Sequence, residues 1–196
     1  MALFSLDHWP LLFVSAVMIV AAVIDGWKLK VPNWLTYPLV ISGWLFGLCH
    51  NFGWFEDYGV GGIGASLLGT LAGFLLLLPV YAIGGMGAGD VKMQMGFGAW
   101  VGAYFGTGAG LLVIWWAFAV AVIIGGVLAL AMMMIRGRYR QNLANTREIF
   151  GDLIGAGNVG QIADRAAKRK PRMHLLPYGI PLCLGFVGYL IYVHGI

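Results

Sequence analysis

Two aspartates, Asp25 and Asp90, lie at the ends of long apolar runs in a chain of 196 residues that has only 8 acidic side chains. An ionised carboxylate at membrane depth costs roughly 2.5 to 3.5 kcal/mol to insert, so such a residue needs a functional reason and a partner. Two carboxylates that approach each other can share one proton. One then takes a proton from water while the other polarises a carbonyl group, which is chemistry that can hydrolyse a peptide bond.

The elements that must position these aspartates are hydrophobic segments. The chain is 60% hydrophobic and 10% charged, whereas about a quarter of the residues in a soluble domain are charged. A helix that crosses a bilayer needs about 20 apolar residues. Six stretches approach this length: roughly Trp9 to Ile24, Trp34 to Cys49, Gly61 to Ile83, Val91 to Tyr104, Gly108 to Ile135 and Tyr178 to Val193. The sequence therefore predicts an all-α membrane protein, a single domain of residues 1–196 with six transmembrane helices.

The basic residues predict how these helices are oriented. Lys28 and Lys30 lie in the first gap between spans, Lys92 lies just after the third span, and the other nine lie between Arg136 and Arg172 in the fifth gap. All 12 basic residues thus lie on one face, which the positive-inside rule makes cytoplasmic. Both termini then lie on the outer, periplasmic side.

This orientation has two consequences. Asp25, at the end of the first span, and Asp90, at the start of the fourth, lie at the same cytoplasmic edge, where we expect the active site. Residues 136–174 form a cytoplasmic loop between the fifth and sixth spans. Topology and attraction to anionic lipid headgroups explain the basic charge, so we expect the lipid bilayer and not a nucleic acid as partner.

Glycines predict close approaches of the backbone. Glycines before Asp90 let that loop come near a substrate backbone, because only a residue without Cβ leaves the room. Two stripes of small residues at helical spacing predict close packing of transmembrane helices, with dimerisation as the alternative: Gly61, Ala65, Gly69 and Gly73 in one, and Gly98, Gly102, Gly106 and Gly110 in the other. The four histidines are scattered and no CxxC occurs, so we expect neither a zinc site nor a cofactor.

Local motifs surround both aspartates. Asp90 ends the GxGD of Gly87-Ala88-Gly89-Asp90-Val91-Lys92, and Asp25 is followed, after six intervening residues, by Pro32-Asn33. In these motifs the chain resembles the type IV prepilin peptidases, which are intramembrane aspartyl proteases of the GxGD type. The segment Leu176-Pro177-Tyr178-Gly179-Ile180-Pro181-Leu182 is similar to the proline-flanked start of that family's final helix.

The resemblance implies a function and a set of residues. Asp25 and Asp90 would be the catalytic pair, which removes the short basic leader of a prepilin or pseudopilin after a glycine, at the cytoplasmic face of the inner membrane. The motif and substrate-loop positions would be Gly87, Gly89, Lys92, Pro32, Asn33, Pro177, Tyr178 and Pro181. Lys92 has two interpretations: it tunes the dyad or contacts substrate, or it extends to the membrane interface.

Departures from the family pattern narrow the resemblance. Longer members carry a further cytoplasmic region with paired cysteines, associated with methylating the new amino terminus of the cleaved pilin. That region is not found in these 196 residues, so the resemblance is to the short, cleavage-only branch, such as that serving Flp-type pili. Archaeal preflagellin peptidases remain an alternative, and the sequence does not determine the substrate pilin or the oligomeric state.

Two other classes of protein would also be this apolar. A six-span proton-coupled transporter needs membrane carboxylates, but it usually has an internal repeat and broken helices near the midplane, whereas both aspartates here lie at one edge. A non-enzymatic assembly subunit of a pilus or secretion system is the second alternative. Hydrolysis of a prepilin-like peptide distinguishes both from a peptidase.

Overall fold

The computed structural model describes residues 8–55, 58–82, 85–135 and 177–195. Helices dominate these ranges: α1 (Trp9–Lys28), α2 (Asn33–Asn51), α3 (Ile63–Ala82), α4 (Ala88–Ile135) and α5 (Gly179–His194). No strand occurs within them, which confirms the all-α class for this part of the chain. The predicted cytoplasmic loop, residues 136–174, lies outside the described residues.

Three helices are long and apolar enough to cross a membrane: α1, α3 and the Ala88–Met132 part of α4. The side chains on them are distributed in the opposite way to those of a soluble protein. Ile19, Leu71 and Ile123 are at least 49% exposed, whereas Ser66 and Gln94 are fully buried. Apolar side chains on the outside and polar ones facing the interior are typical of helices packed within a bilayer.

Helix α4 consists of two arms, residues 88–105 and 107–135, that meet at Gly106. The backbone there is not helical, with φ 77° and ψ −175°, a conformation that glycine adopts at little cost. A Cβ placed on Gly110 would lie only 3.2 Å from the Cα of Gly102, although residues eight apart in a straight helix are separated by about 12 Å along its axis. The second arm therefore folds back beside the first. The break falls in the gap predicted between the fourth and fifth spans.

The two small-residue stripes pack against each other, as predicted. A Cβ on Gly69 of α3 would overlap the backbone carbonyl of Gly98, and a Cβ on Gly98 would overlap that of Gly69. Gly102 has the same relationship to the carbonyl of Ala65. Small residues let the backbones of α3 and the first arm of α4 come into direct contact, in antiparallel directions.

Helix α2 runs parallel to the first arm of α4. Leu39 lies where a side chain on Gly96 would be, and Ala99 lies against Gly43. Both pairs join a residue of α2 to one that is 56 or 57 positions later in the chain, so the register between the two helices is constant. This register sets the depth at which other residues of α2 face α4.

Helix α1 runs antiparallel to the same arm. Phe13, near the start of α1, contacts Trp100, which lies far along the arm, and their ring centroids are 4.8 Å apart. Helix α5 begins beside the last turn of α1, where Ile180 lies against Gly26. The end of α1 and the starts of α2, α4 and α5 consequently meet at one end of the bundle.

Candidate active site

Asp25 lies in the last turn of α1 and is only 3% exposed. Its Oδ2 accepts a 2.8 Å hydrogen bond from the backbone N–H of Gly179, at the start of α5. Leu29 caps the end of the helix. Its left-handed backbone (φ 51°) turns the chain away from the helix axis, and its N–H donates a hydrogen bond to the carbonyl of Asp25. The carboxylate is thus fixed by the backbone of a distant helix, at the point where α1 stops.

Pro32 and Asn33, the second part of the predicted motif, begin α2. Pro32 is the N-cap residue, with φ −75° and ψ 145°; because the proline ring fixes φ near −65°, it defines where the helix starts. Asn33 is the first helical residue. The motif therefore sets a short turn between α1 and α2 rather than supplying a group to the carboxylates.

Asp90 lies in the first turn of α4 and is 5% exposed. Its Oδ2 accepts a 3.1 Å hydrogen bond from the backbone N–H of Gly87, and the amino-terminal end of a helix stabilises a negative charge at this position. Its Oδ1 is buried and has no hydrogen-bond partner in the described part of the chain. One oxygen of Asp90 is held by its own loop, and the other remains free for chemistry.

The structure places the two aspartates at the same end of the bundle. The charge on Asp25 acts on Asp90, and Tyr178 also interacts electrostatically with Asp90. Gly89 helps to bring their elements together, because a Cβ on it would lie 2.8 Å from the carbonyl oxygen of Val31. The close approach at Gly89 is therefore to the α1–α2 turn of the same chain. Gly87, by contrast, has room around it: among the described residues, only Asp90 and Gly89 lie within 4 Å of a Cβ placed there.

Lys92 joins the two motifs. Its ammonium donates hydrogen bonds to Oδ1 of Asn33 at 2.9 Å and to the hydroxyl of Tyr37 at 3.0 Å, and it lies 4.5 Å from the centroid of the Tyr37 ring. These contacts fix the start of α2 against the first turn of α4. Sequence analysis missed Tyr37, although its position one turn after Asn33 placed it on the same face of the helix.

The segment that opens α5 divides between two neighbours. Tyr178 and Gly179 lie at the aspartates, whereas Pro181 lies against Gly125 in the second arm of α4. Pro177 accepts a hydrogen bond from the N–H of Ile180 and so begins the helix. Gly179 was missed as a site residue because its contribution is a backbone N–H, which no side-chain pattern reveals. Within the described ranges, no three of the His, Cys, Asp and Glu side chains are grouped as a metal site requires.

The chain is similar in sequence to a known protein family. The profile of the type IV leader peptidase family matches residues 12–135, which include both aspartates. The chain belongs to the type IV leader peptidase family. Several apolar helices together with this family make it a multi-pass membrane protein.

Individual relatives are 26% to 33% identical to this chain over the aligned residues. The chain is 28% identical over 159 residues to a prepilin leader peptidase/N-methyltransferase of Pectobacterium carotovorum, covering 77% of this chain and 50% of the relative. Proteins of the same name are 26% identical over 143 residues in Aeromonas salmonicida (66% and 41% covered) and 33% identical over 98 residues in Aeromonas hydrophila (46% and 31% covered). The chain thus spans half or less of these relatives. No solved structure matches it significantly.

Proposed function

We propose that this protein is a membrane aspartyl endopeptidase that removes the leader of prepilin-like precursors. The observation that carries the proposal is the pairing of Asp25 and Asp90. Both carboxylates are buried, they lie on helices far apart in the sequence, and the chain belongs to the type IV leader peptidase family. A buried pair of carboxylates is costly in a bilayer and is expected to serve chemistry. The names of its relatives indicate the substrate class.

The geometry supports a dyad that works with water. One carboxylate takes a proton from the water, whose oxygen attacks the carbonyl carbon of the peptide, while the other, protonated, donates a hydrogen bond to the carbonyl oxygen. The C–N bond then breaks as the amine nitrogen takes a proton from the dyad. Backbone N–H groups of Gly179 and Gly87 hold the Oδ2 atoms, so that the carboxylates keep their orientation throughout the reaction.

We further propose six crossings of the inner membrane with both termini outside. The crossings are α1, α2, α3, the two arms of α4 and α5; the fold-back at Gly106 turns one long helix into two crossings of opposite direction. A helix of 48 residues would otherwise be about 70 Å long, more than twice the thickness of the hydrocarbon core. Basic residues between the spans place the dyad at the cytoplasmic edge.

The proposed substrate is a prepilin or pseudopilin that is cut after a glycine. Such a precursor has a short basic cytoplasmic segment followed by an apolar helix, so its junction lies at the depth of the dyad. A helical peptide has to unwind before carboxylates reach its carbonyl groups, and glycine lowers helix stability by about 1 kcal/mol relative to alanine.

The test is a cleavage assay on the purified protein in detergent with a prepilin-like peptide, with the products identified by mass. We expect a single cut directly after the glycine at the leader junction. No cleavage by a folded protein would contradict the proposal and favour a transporter or an assembly subunit, because neither hydrolyses peptides.

A further inference from the structure

Gln94 is fully buried in the first arm of α4, and neither its amide oxygen nor its amide nitrogen has a hydrogen-bond partner among the described residues. Oγ1 of Thr36 and Oδ1 of Asp90 are buried and unpartnered in the same way. Buried polar groups in proteins almost always bind a protein group or an ordered water molecule. These atoms therefore indicate a binding site for a small polar molecule.

The three groups lie at one depth in the bundle. Gln94 follows Asp90 by four residues, which places it on the same face of α4 about 6 Å further along the helix. Thr36 precedes Leu39 by three residues and so lies on the same face of α2. Because Leu39 lies against Gly96 in a parallel register, Thr36 lies at a similar depth, but it faces the side of α4 that carries Gly96, about 200° around the helix from Gln94. Thr36 is therefore not a partner of Gln94.

The space around Gln94 is closed by the neighbouring helix. A Cβ on Gly73 of α3 would lie 3.3 Å from Cγ of Gln94, so the backbone of α3 covers this side chain. A peptide substrate cannot reach an amide enclosed in this way. A water molecule can, and the glutamine amide offers it two donors and an acceptor oxygen.

We infer that Gln94 and Oδ1 of Asp90 bind a buried water molecule, and that Gln94 positions the water consumed in hydrolysis. The inference rests on the proposed peptidase function. Each turnover adds one water across a C–N bond: its oxygen bonds to the carbonyl carbon, one proton passes to a carboxylate, and the amine leaves with a proton from the dyad. A site surrounded by apolar helices needs a bound water molecule beside the carboxylates.

The test compares Gln94→Met with the wild-type protein in the same cleavage assay. Methionine has a similar length but makes no such hydrogen bonds, so we expect kcat to fall about tenfold, the loss of one positioning hydrogen bond, with KM unchanged. The melting temperature should change little, because methionine fills nearly the same volume.

A second measurement detects the water directly. In 15N-labelled protein in micelles, the side-chain amide of Gln94, assigned through its connection to the backbone resonances of the same residue, should show magnetisation transfer from bound water. This measurement does not depend on catalysis. It decides the matter if Gln94→Met does not fold.

Ser15→Ala is the matched control. Ser15 also has a buried hydroxyl without a partner among the described residues, but it precedes Asp25 by ten residues, about 15 Å along α1, so its loss should leave kcat unchanged. A wild-type kcat in Gln94→Met, a change in KM alone, or no transfer from water would overturn the inference. The proposed function would stand in each case, because Asp90→Asn in the same assay tests the dyad separately.

Discussion

The backbone N–H of Gly179 donates a 2.8 Å hydrogen bond to Oδ2 of Asp25, a residue 154 positions earlier in the chain. The two residues are tightly packed, because a Cβ on Gly179 would lie 2.9 Å from both Cβ and Oδ2 of the aspartate. The start of α5 thus orients one carboxylate of the dyad, and Gly179 joins the residues on which activity should depend.

Gly179→Ala tests this relationship. The added methyl group has to displace the Asp25 side chain or the start of α5, and a small misplacement of a reacting group lowers rates by about tenfold to 100-fold. We therefore expect kcat/KM for a prepilin-like peptide to fall by that factor. Gly188→Ala in the same helix is the control, since no atom of the described residues lies within 4 Å of a Cβ there. Equal activity of the two variants would show that Gly179 does not position the dyad.

Asp25→Asn and Asp90→Asn should each abolish processing. Asparagine keeps the shape of the side chain but can neither hold nor release the shared proton, so we expect a fall of at least about 100-fold in cleavage rate. Insertion into the membrane and the melting temperature in detergent are checked in parallel. Residual cleavage above a few per cent in a folded variant would remove that aspartate from the catalytic pair.

The effects of Lys92→Met and Asn33→Leu on kcat/KM should be coupled. Their hydrogen bond lies at the surface, so each change should cost stability only about 1 kcal/mol or less, but both release the start of α2 from the first turn of α4. We expect a several-fold loss of kcat/KM in each variant and a double variant that loses no more than either alone. Lys30→Met, which removes a charge from the same end of the bundle, is the control. Fully additive losses would mean that Lys92 acts on the dyad or the substrate independently of Asn33.

The proposed orientation is tested by thiol labelling in whole cells. In a background in which Cys49 and Cys183 are replaced by alanine, Arg140→Cys should react with a membrane-impermeant reagent only after the membrane is opened. Glu56→Cys should react in intact cells, because the basic residues place its gap between spans on the outer side. The reverse pattern would put the dyad on the wrong face for a cytoplasmic leader.

The substrate itself provides the last test. Replacing the glycine before the cleaved bond with leucine or phenylalanine should block processing, because the larger residue stabilises the helix and fills space at the Gly87 loop. Substitutions deep in the apolar helix should matter less. The measurement is the initial rate for each peptide with mass-mapped products, and equal rates for glycine and leucine peptides would rule out this specificity.

Composition and local pattern were enough to predict the helical class and the small-residue packing, and they single out Asp25 and Asp90 as the proposed catalytic pair. Each depends on properties that neighbouring residues carry with them: apolar length for a span, glycine and alanine at four-residue spacing for a close helix contact, and a buried carboxylate beside a recognisable motif. The resemblance to the prepilin peptidases also came from such local motifs, and the family match over residues 12–135 confirmed it.

Tertiary structure alone decided how these parts meet. The bond from Gly179 to Asp25, the bonds from Lys92 to Asn33 and Tyr37, and the burial of Gln94 beside Gly73 all depend on which helix faces meet and at what register. Neither factor is encoded within one helix: register follows from close contacts between helices, such as Gly69 on Gly98, and from the fold-back at Gly106. A backbone N–H donor, moreover, exists in almost every residue, so only its position in space makes it part of a site.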